Sequence, residues 1–285
     1  MTGDSSMRRN RLRYLLPQGF FTLAWTEWGP EGGQPVVCLH GLTRTGRDFD
    51  ALAGALAAGG RRVLCPDLPG RGASDWLPDP ALYVPPSYVA ALSHLLARLD
   101  GPVDWVGTSL GGICGMLISA LPGSPIRRMV LNDIGSFVPG ASLARIGDYL
   151  AHPMDFADMA GLEAHLRRAH APFGALSDAE WRHLAETSAR PAADGGVALH
   201  YDPGIARAFQ ELEPVDMDLS ALWAEVRAEV LVLHGAESDL LLPATARAMA
   251  RRPGVRAVEI PGCGHAPALM HPDQIGVVAE FLAGR

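Results

Sequence analysis

Val103-Asp104-Trp105-Val106-Gly107-Thr108-Ser109-Leu110-Gly111-Gly112 sets a serine between two glycines, behind a short β-prone run and ahead of an apolar stretch that suits a helix. A strand that turns sharply into a helix forces the residue at the bend into a strained backbone, and such a bend tolerates only small neighbours. Gly107 and Gly111 supply them. The turn lifts the Ser109 hydroxyl clear of a sheet and beside the free N–H groups that open a helix. The chain has 32 glycines, so this pattern also arises by accident and the surrounding sequence has to decide its meaning.

Outward from this stretch, short β-rich runs at 35–40, 62–66, 103–107, 128–132, 229–234 and 255–260 alternate with helical patterns at 49–58, 87–99, 110–121, 244–250 and 274–282. Such alternation predicts an α/β fold, a mostly parallel central sheet with helices on both faces, and each of the six runs reads as a buried strand. Residues 20–28 alternate and are rich in aromatics, which suggests an antiparallel edge hairpin ahead of the parallel strands. From 137 to 219 the strand-like runs stop. Proline, aspartate, alanine and histidine punctuate short helical segments there, so this block is expected to be an inserted helical lid, with 1–136 and 220–285 forming the core.

At 285 residues and 48% apolar, the chain can bury one large core. Its 31 acidic residues outnumber 24 basic ones and no long basic run occurs, which argues against a nucleic-acid surface. The cluster Met7-Arg8-Arg9-Asn10-Arg11-Leu12-Arg13 invites comparison with an export signal. It fits poorly, because the apolar run Tyr14-Leu15-Leu16 stops at Pro17-Gln18-Gly19. No stretch reaches transmembrane length, so a soluble cytoplasmic protein without a membrane partner is expected. Cys38, Cys65, Cys114 and Cys263 form no metal-like or disulfide-like spacing and read as reduced, mostly buried thiols; Cys263, two residues before His265, is the one open to oxidants.

A serine hydroxyl is a weak nucleophile at neutral pH and needs a base and a group that orients the base. Two loops downstream offer candidates. Gly235-Ala236-Glu237-Ser238-Asp239 follows one strand, and Pro261-Gly262-Cys263-Gly264-His265 follows the next. Strand ends on the carboxyl edge of a parallel sheet share one crevice, so Ser109, Asp239 and His265 can converge there. Asp133 also follows a strand and is the rival carboxylate.

With these residues in view, the chain resembles the α/β-hydrolase family over nearly its whole length. The order Ser109, Asp239, His265 matches that family's nucleophile–acid–base order, and His40-Gly41, the Pro66–Asp75 loop and the placement of the lid match as well; the Gly235–Asp239 loop resembles the family's usual acid loop, so the resemblance favours Asp239 over Asp133. The resemblance implies an oxyanion hole made by the backbone N–H groups of Leu42 and Leu110. It also implies hydrolysis of a small-molecule carboxylic ester through an acyl-enzyme, with no cofactor and no metal. Lactone opening, C–C bond hydrolysis, peptide-end cleavage or acyl transfer would use the same groups, and a non-catalytic ligand pocket is the reading from another class. Oligomeric state is left open. Among the ten histidines, His94, His165, His170 and His183 read as helix-face positions, and His40 as a shaper of the oxyanion loop. The aromatic and methionine residues of the inserted block read mostly as packing between its helices.

Overall fold

The computed structural model describes residues 7–151, 154–193, 195–210 and 213–284. A hairpin of β1 (Arg8–Leu16) and β2 (Gly19–Trp28) leads into β3 (Pro35–Leu39), α1 (Asp50–Ala58), β4 (Arg62–Pro66), α2 (Pro85–Leu96), β5 (Val103–Thr108), α3 (Leu110–Ala120) and β6 (Ile126–Asn132). Short pieces follow: β7 (Phe137–Val138), α4 (Gly140–Leu150), β8 (Asp155–Phe156), α5 (Met159–Ala169), α6 (Asp178–Ser188), β9 (Ala189–Pro191), β10 (Val197–Leu199), α7 (Pro203–Gln210), β11 (Met217–Asp218) and α8 (Ser220–Glu225). The longer alternation then resumes with β12 (Glu229–Gly235), α9 (Pro243–Met249), β13 (Val255–Ile260) and α10 (Pro272–Leu282).

Eight strands form one sheet in the order β1-β2-β4-β3-β5-β6-β12-β13. The pairings β1–β2 and β2–β4 are antiparallel, and all others in this sheet are parallel. Residues of the central strands alternate between two apolar layers, as the period of two demands. Val37, Leu39, Trp105, Met129, Leu131, Val230 and Val232 face the layer packed by α2 and α3. Val36, Cys38, Val106, Val130, Leu231 and Leu233 face the layer packed by α1 and α10. Both faces are therefore covered, which is why these runs are almost wholly apolar. Strand order reverses between β3 and β5, and a crevice opens at such a switch point beyond the carboxyl ends of the strands.

Two features depart from the sequence-based expectation, and one segment left without an assigned element is placed. The strand at 255–260 is a sheet edge in which only Ile260 is fully buried, so one of the six runs is not a core strand. The basic cluster near the start lies on β1, with Arg9, Arg11 and Arg13 exposed in alternation and Arg8 converging with Arg62 on the buried Glu27 carboxylate. Finally, the segment between β6 and β12 is not purely helical. It carries a small antiparallel sheet β8-β10-β9 and the pair β11-β7, whose strands of two or three residues are too short to leave a periodic signal. Among the described residues no helix is long and apolar enough to cross a membrane.

Candidate active site

Ser109 stands at the end of β5 with φ 52° and ψ −115°, a backbone conformation that L-residues rarely adopt. The bend is enforced by close backbone approach. A Cβ added at Gly111 would lie 2.0 Å from the Leu39 carbonyl oxygen, and one at Gly107 would lie 2.4 Å from the Gly111 oxygen. Trp105, fully buried beneath the turn, donates its indole N–H to the Gly111 carbonyl at 3.0 Å and so ties β5 to the first turn of α3. Ser109 precedes α3, yet its hydroxyl makes no capping bond. Ser109 Oγ lies instead 3.1 Å from His265 Nε2.

The other ring nitrogen, His265 Nδ1, is 2.8 Å from Asp133 Oδ2. Asp133 is wholly buried and directly follows β6. Its Oδ1 accepts from the Gly235 N–H at 2.8 Å and its Oδ2 from the Ser238 hydroxyl at 2.5 Å. Asp239, the carboxylate favoured from sequence, is not at His265. Its side chain is half-exposed and receives a two-pronged contact from Arg145 of α4, Nε–Oδ2 at 2.5 Å and Nη2–Oδ1 at 2.8 Å. The reason is local: the loop after β12 turns the Ser238 hydroxyl inward to Asp133, and the Asp239 side chain points to the rim. A hydroxyl, an imidazole and a buried carboxylate in hydrogen-bonded series can move a proton from oxygen to nitrogen while holding the resulting imidazolium.

The loop after β3 carries Leu42 to the same cavity, and Leu110 opens α3, where first-turn N–H groups have no acceptor within the helix. Two buried side chains shape this loop. His40 donates from Nδ1 to the Gly41 carbonyl at 2.7 Å, and its Nε2 accepts from the Leu68 N–H at 2.9 Å, which fixes one neutral tautomer. Burial, opposed by the Gly41 carbonyl and reinforced by the charges of Arg71 and Arg44, pushes its pKa down to about 3. Arg71, wholly buried, donates from Nε to the Leu42 carbonyl at 2.8 Å and from Nη1 to Pro69 O and the Tyr88 hydroxyl. Sequence reading placed His40 at this loop and passed over Arg71, whose Gly-Arg-Gly setting looks like an ordinary turn.

Ser109 and His265 line a cavity of about 100 Å³ together with residues of α4 and the end of α5, with Tyr149 and Phe173 among its walls. Among the described residues of 137–219, Tyr149, Phe173 and the ring of His170 line it. Met154, Phe156 and Met159 pack instead on the apolar core, and Trp181 belongs to that core. His170, read from sequence as a helix-face residue, is partly buried in this cavity wall against Phe173 and Tyr149. Burial, then the charges of Arg44, His165 and His265, holds it well below the usual imidazole range, so it is neutral. Asn132 was legible only as a strand end. It is buried, and its amide donates to the Thr108 hydroxyl at 2.9 Å and to the Pro267 carbonyl at 2.8 Å, joining the Ser109 turn to the loop that carries His265. Cys263 is buried and donates to the Phe173 carbonyl, and burial raises its pKa; the expected oxidant-accessible thiol is closed off.

The sequence profile of the alpha/beta hydrolase family matches residues 36–279. The chain is 42% identical to a 3-hydroxybutyrate-oligomer hydrolase of Cupriavidus necator over 99% of both chains. It is 30% identical to a pimeloyl-[acyl-carrier protein] methyl ester esterase of Aromatoleum aromaticum, over 86% of this chain and 96% of that one. Among solved structures, an alpha/beta hydrolase from Novosphingobium aromaticivorans superposes with a TM-score of 0.86 at 33% identity, covering 99% of each chain.

Proposed function

Because the chain belongs to the alpha/beta hydrolase family, we propose that it cleaves carboxylic esters through an acyl-enzyme on Ser109, with His265 as base and Asp133 as the group that orients it. The observation that carries this reading is the series Ser109 Oγ to His265 Nε2 at 3.1 Å and His265 Nδ1 to Asp133 at 2.8 Å. Ser109 attacks the ester carbonyl as His265 takes its proton. The Leu42 and Leu110 N–H groups receive the developing oxyanion, each such donor being worth about 3 kcal/mol in comparable sites. His265 then protonates the leaving alcohol, and a water activated by the same imidazole releases the acid.

The substrate class follows from the relative that matches end to end. We read the substrates as short oligoesters of 3-hydroxybutyrate or closely similar hydroxy acids, as that relative's name states for it. A cavity of about 100 Å³ suits a short acyl unit rather than a long chain. We also read 137–219 as a cap over the site, a reading supported by α4, whose Ser142 hydroxyl donates to the Asp239 carbonyl and whose Tyr149 walls the cavity. Turnover of the 3-hydroxybutyrate dimer and of p-nitrophenyl butyrate by wild type and Ser109→Ala tests the proposal. Loss of both activities in the variant is expected, by about a thousandfold or more; a Ser109→Ala enzyme with wild-type rates would sink it.

A further inference from the structure

The cavity above Ser109 is lined by two arginines, Arg44 and Arg145, and by no aspartate or glutamate. A lining of that kind favours a ligand that carries negative charge. The two cations differ in what they can still bind. Arg44 is 5% exposed and holds Asp48 with a short two-pronged contact, Nε–Oδ2 and Nη2–Oδ1 both at 2.7 Å, in surroundings where a second anion would have to shed its water. Arg145 stands at the mouth. Its side chain is 46% exposed, that of its partner Asp239 is 50% exposed, and among the described residues its Nη1 edge makes no hydrogen bond. A guanidinium carries five donors in a planar fork, so an edge remains for a second carboxylate. The existing contact is also solvent-exposed, where one ion pair is readily exchanged for another.

We infer that Arg145 is the recognition point for a free carboxylate on the leaving-group side of the substrate, so that the enzyme works from the carboxyl end of a hydroxy-acid oligoester. The inference rests on the ester-hydrolase reading. In an oligoester of a hydroxy acid the terminal carboxylate belongs to the alcohol part of the last ester bond. With that carboxylate at the mouth and the last ester carbonyl at Ser109, the acyl C–O bond breaks, the Ser109–acyl bond forms, and the proton that His265 took from Ser109 passes to the departing alkoxide oxygen. The product that leaves by the mouth is a single hydroxy acid. Water then cleaves the acyl-enzyme and returns a carboxylate to the short acyl part that Ser109 held. Because Arg145 lies on α4, the inserted segment and not the sheet sets this preference.

The test compares the 3-hydroxybutyrate dimer as its free acid with the same dimer as its methyl ester, using wild type, Arg145→Gln and Arg145→Lys, with p-nitrophenyl butyrate as a neutral reference. Wild type is expected to favour the free acid in kcat/KM by about tenfold or more, mainly through KM, as a charge-assisted hydrogen bond provides. R145Q should bring the ratio of acid to methyl ester close to one, and R145K should keep part of it. The wild-type ratio should also shrink as ionic strength rises, a readout that holds even where a variant folds poorly. Equal rates on acid and methyl ester in wild type, or an unchanged ratio in R145Q, overturn the carboxylate inference and leave the esterase reading intact. Absence of turnover on all three compounds overturns both.

Discussion

At the scale of single residues, the site is held by side chains that do no chemistry themselves. His40 is one of them. Folding keeps its imidazole neutral down to a pKa of about 3, whereas the unfolded ring has its ordinary value of 6.5. The unfolded state therefore takes up a proton first, and the stability His40 contributes is present above about pH 6.5 and is lost as pH falls toward 3. His40→Gln is expected to be less stable than wild type at pH 7.5 and to lose less stability between pH 6.5 and 4, as chemical denaturation at several pH values would show. A wild-type protein whose stability in that window falls no more steeply than that of the variant contradicts this role. Gly111 gives a second test. The Leu39 carbonyl leaves no space for a Cβ, so Gly111→Ala forces β3 and α3 apart and should cost about 1–3 kcal/mol or more. Its thermal midpoint and its ester turnover should fall together.

Among the elements, the turn from β5 to α3 does the most to place the site, and it was the part most legible in the sequence. Its two glycines and its position after an apolar run marked Ser109 as a candidate, and the ordered strand ends elsewhere in the chain gave the pattern its meaning. Trp105 supports it from below, with its ring in the core and its N–H on Gly111. Trp105→Ala removes a large buried ring and that hydrogen bond, and a loss of about 3–5 kcal/mol in unfolding free energy is expected from denaturant titration; a loss below about 1 kcal/mol would mean that the turn does not depend on it. The carboxylate partner of His265 was less legible. Asp133 and Asp239 both follow strands, β6 and β12, that are hydrogen-bonded neighbours, so either end can reach the imidazole. What separates them is the direction of a single side chain. Ser238 turns inward to Asp133, and the next residue turns outward to Arg145, a contact between segments that no local pattern announces.

For the molecule as a whole, the parallel sheet and its two helical layers were readable because burial on both faces writes long apolar runs into the strands. The segment from 137 to 219 differs in rhythm from the rest of the sequence, but its elements were not legible in detail. Its two- and three-residue strands carry no period, and its cavity residues Tyr149, His170 and Phe173 look the same in sequence as residues that only pack. The small volume above Ser109 gives an expectation for the whole enzyme: p-nitrophenyl butyrate should be turned over faster than p-nitrophenyl palmitate by about tenfold or more in kcat/KM. Equal rates on the two would mean that the inserted segment does not enclose the acyl group. The central claim is that Ser109 reacts because His265, oriented by Asp133, activates it. The rate of labelling by a fluorophosphonate, with the modified residue identified by mass spectrometry, measures this directly in wild type, Asp133→Asn and Asp239→Asn. Labelling at Ser109 is expected in wild type, slowed by about a hundredfold or more in D133N and by less than about tenfold in D239N. Labelling at another residue, or a D239N protein that is silent while D133N labels like wild type, would contradict it.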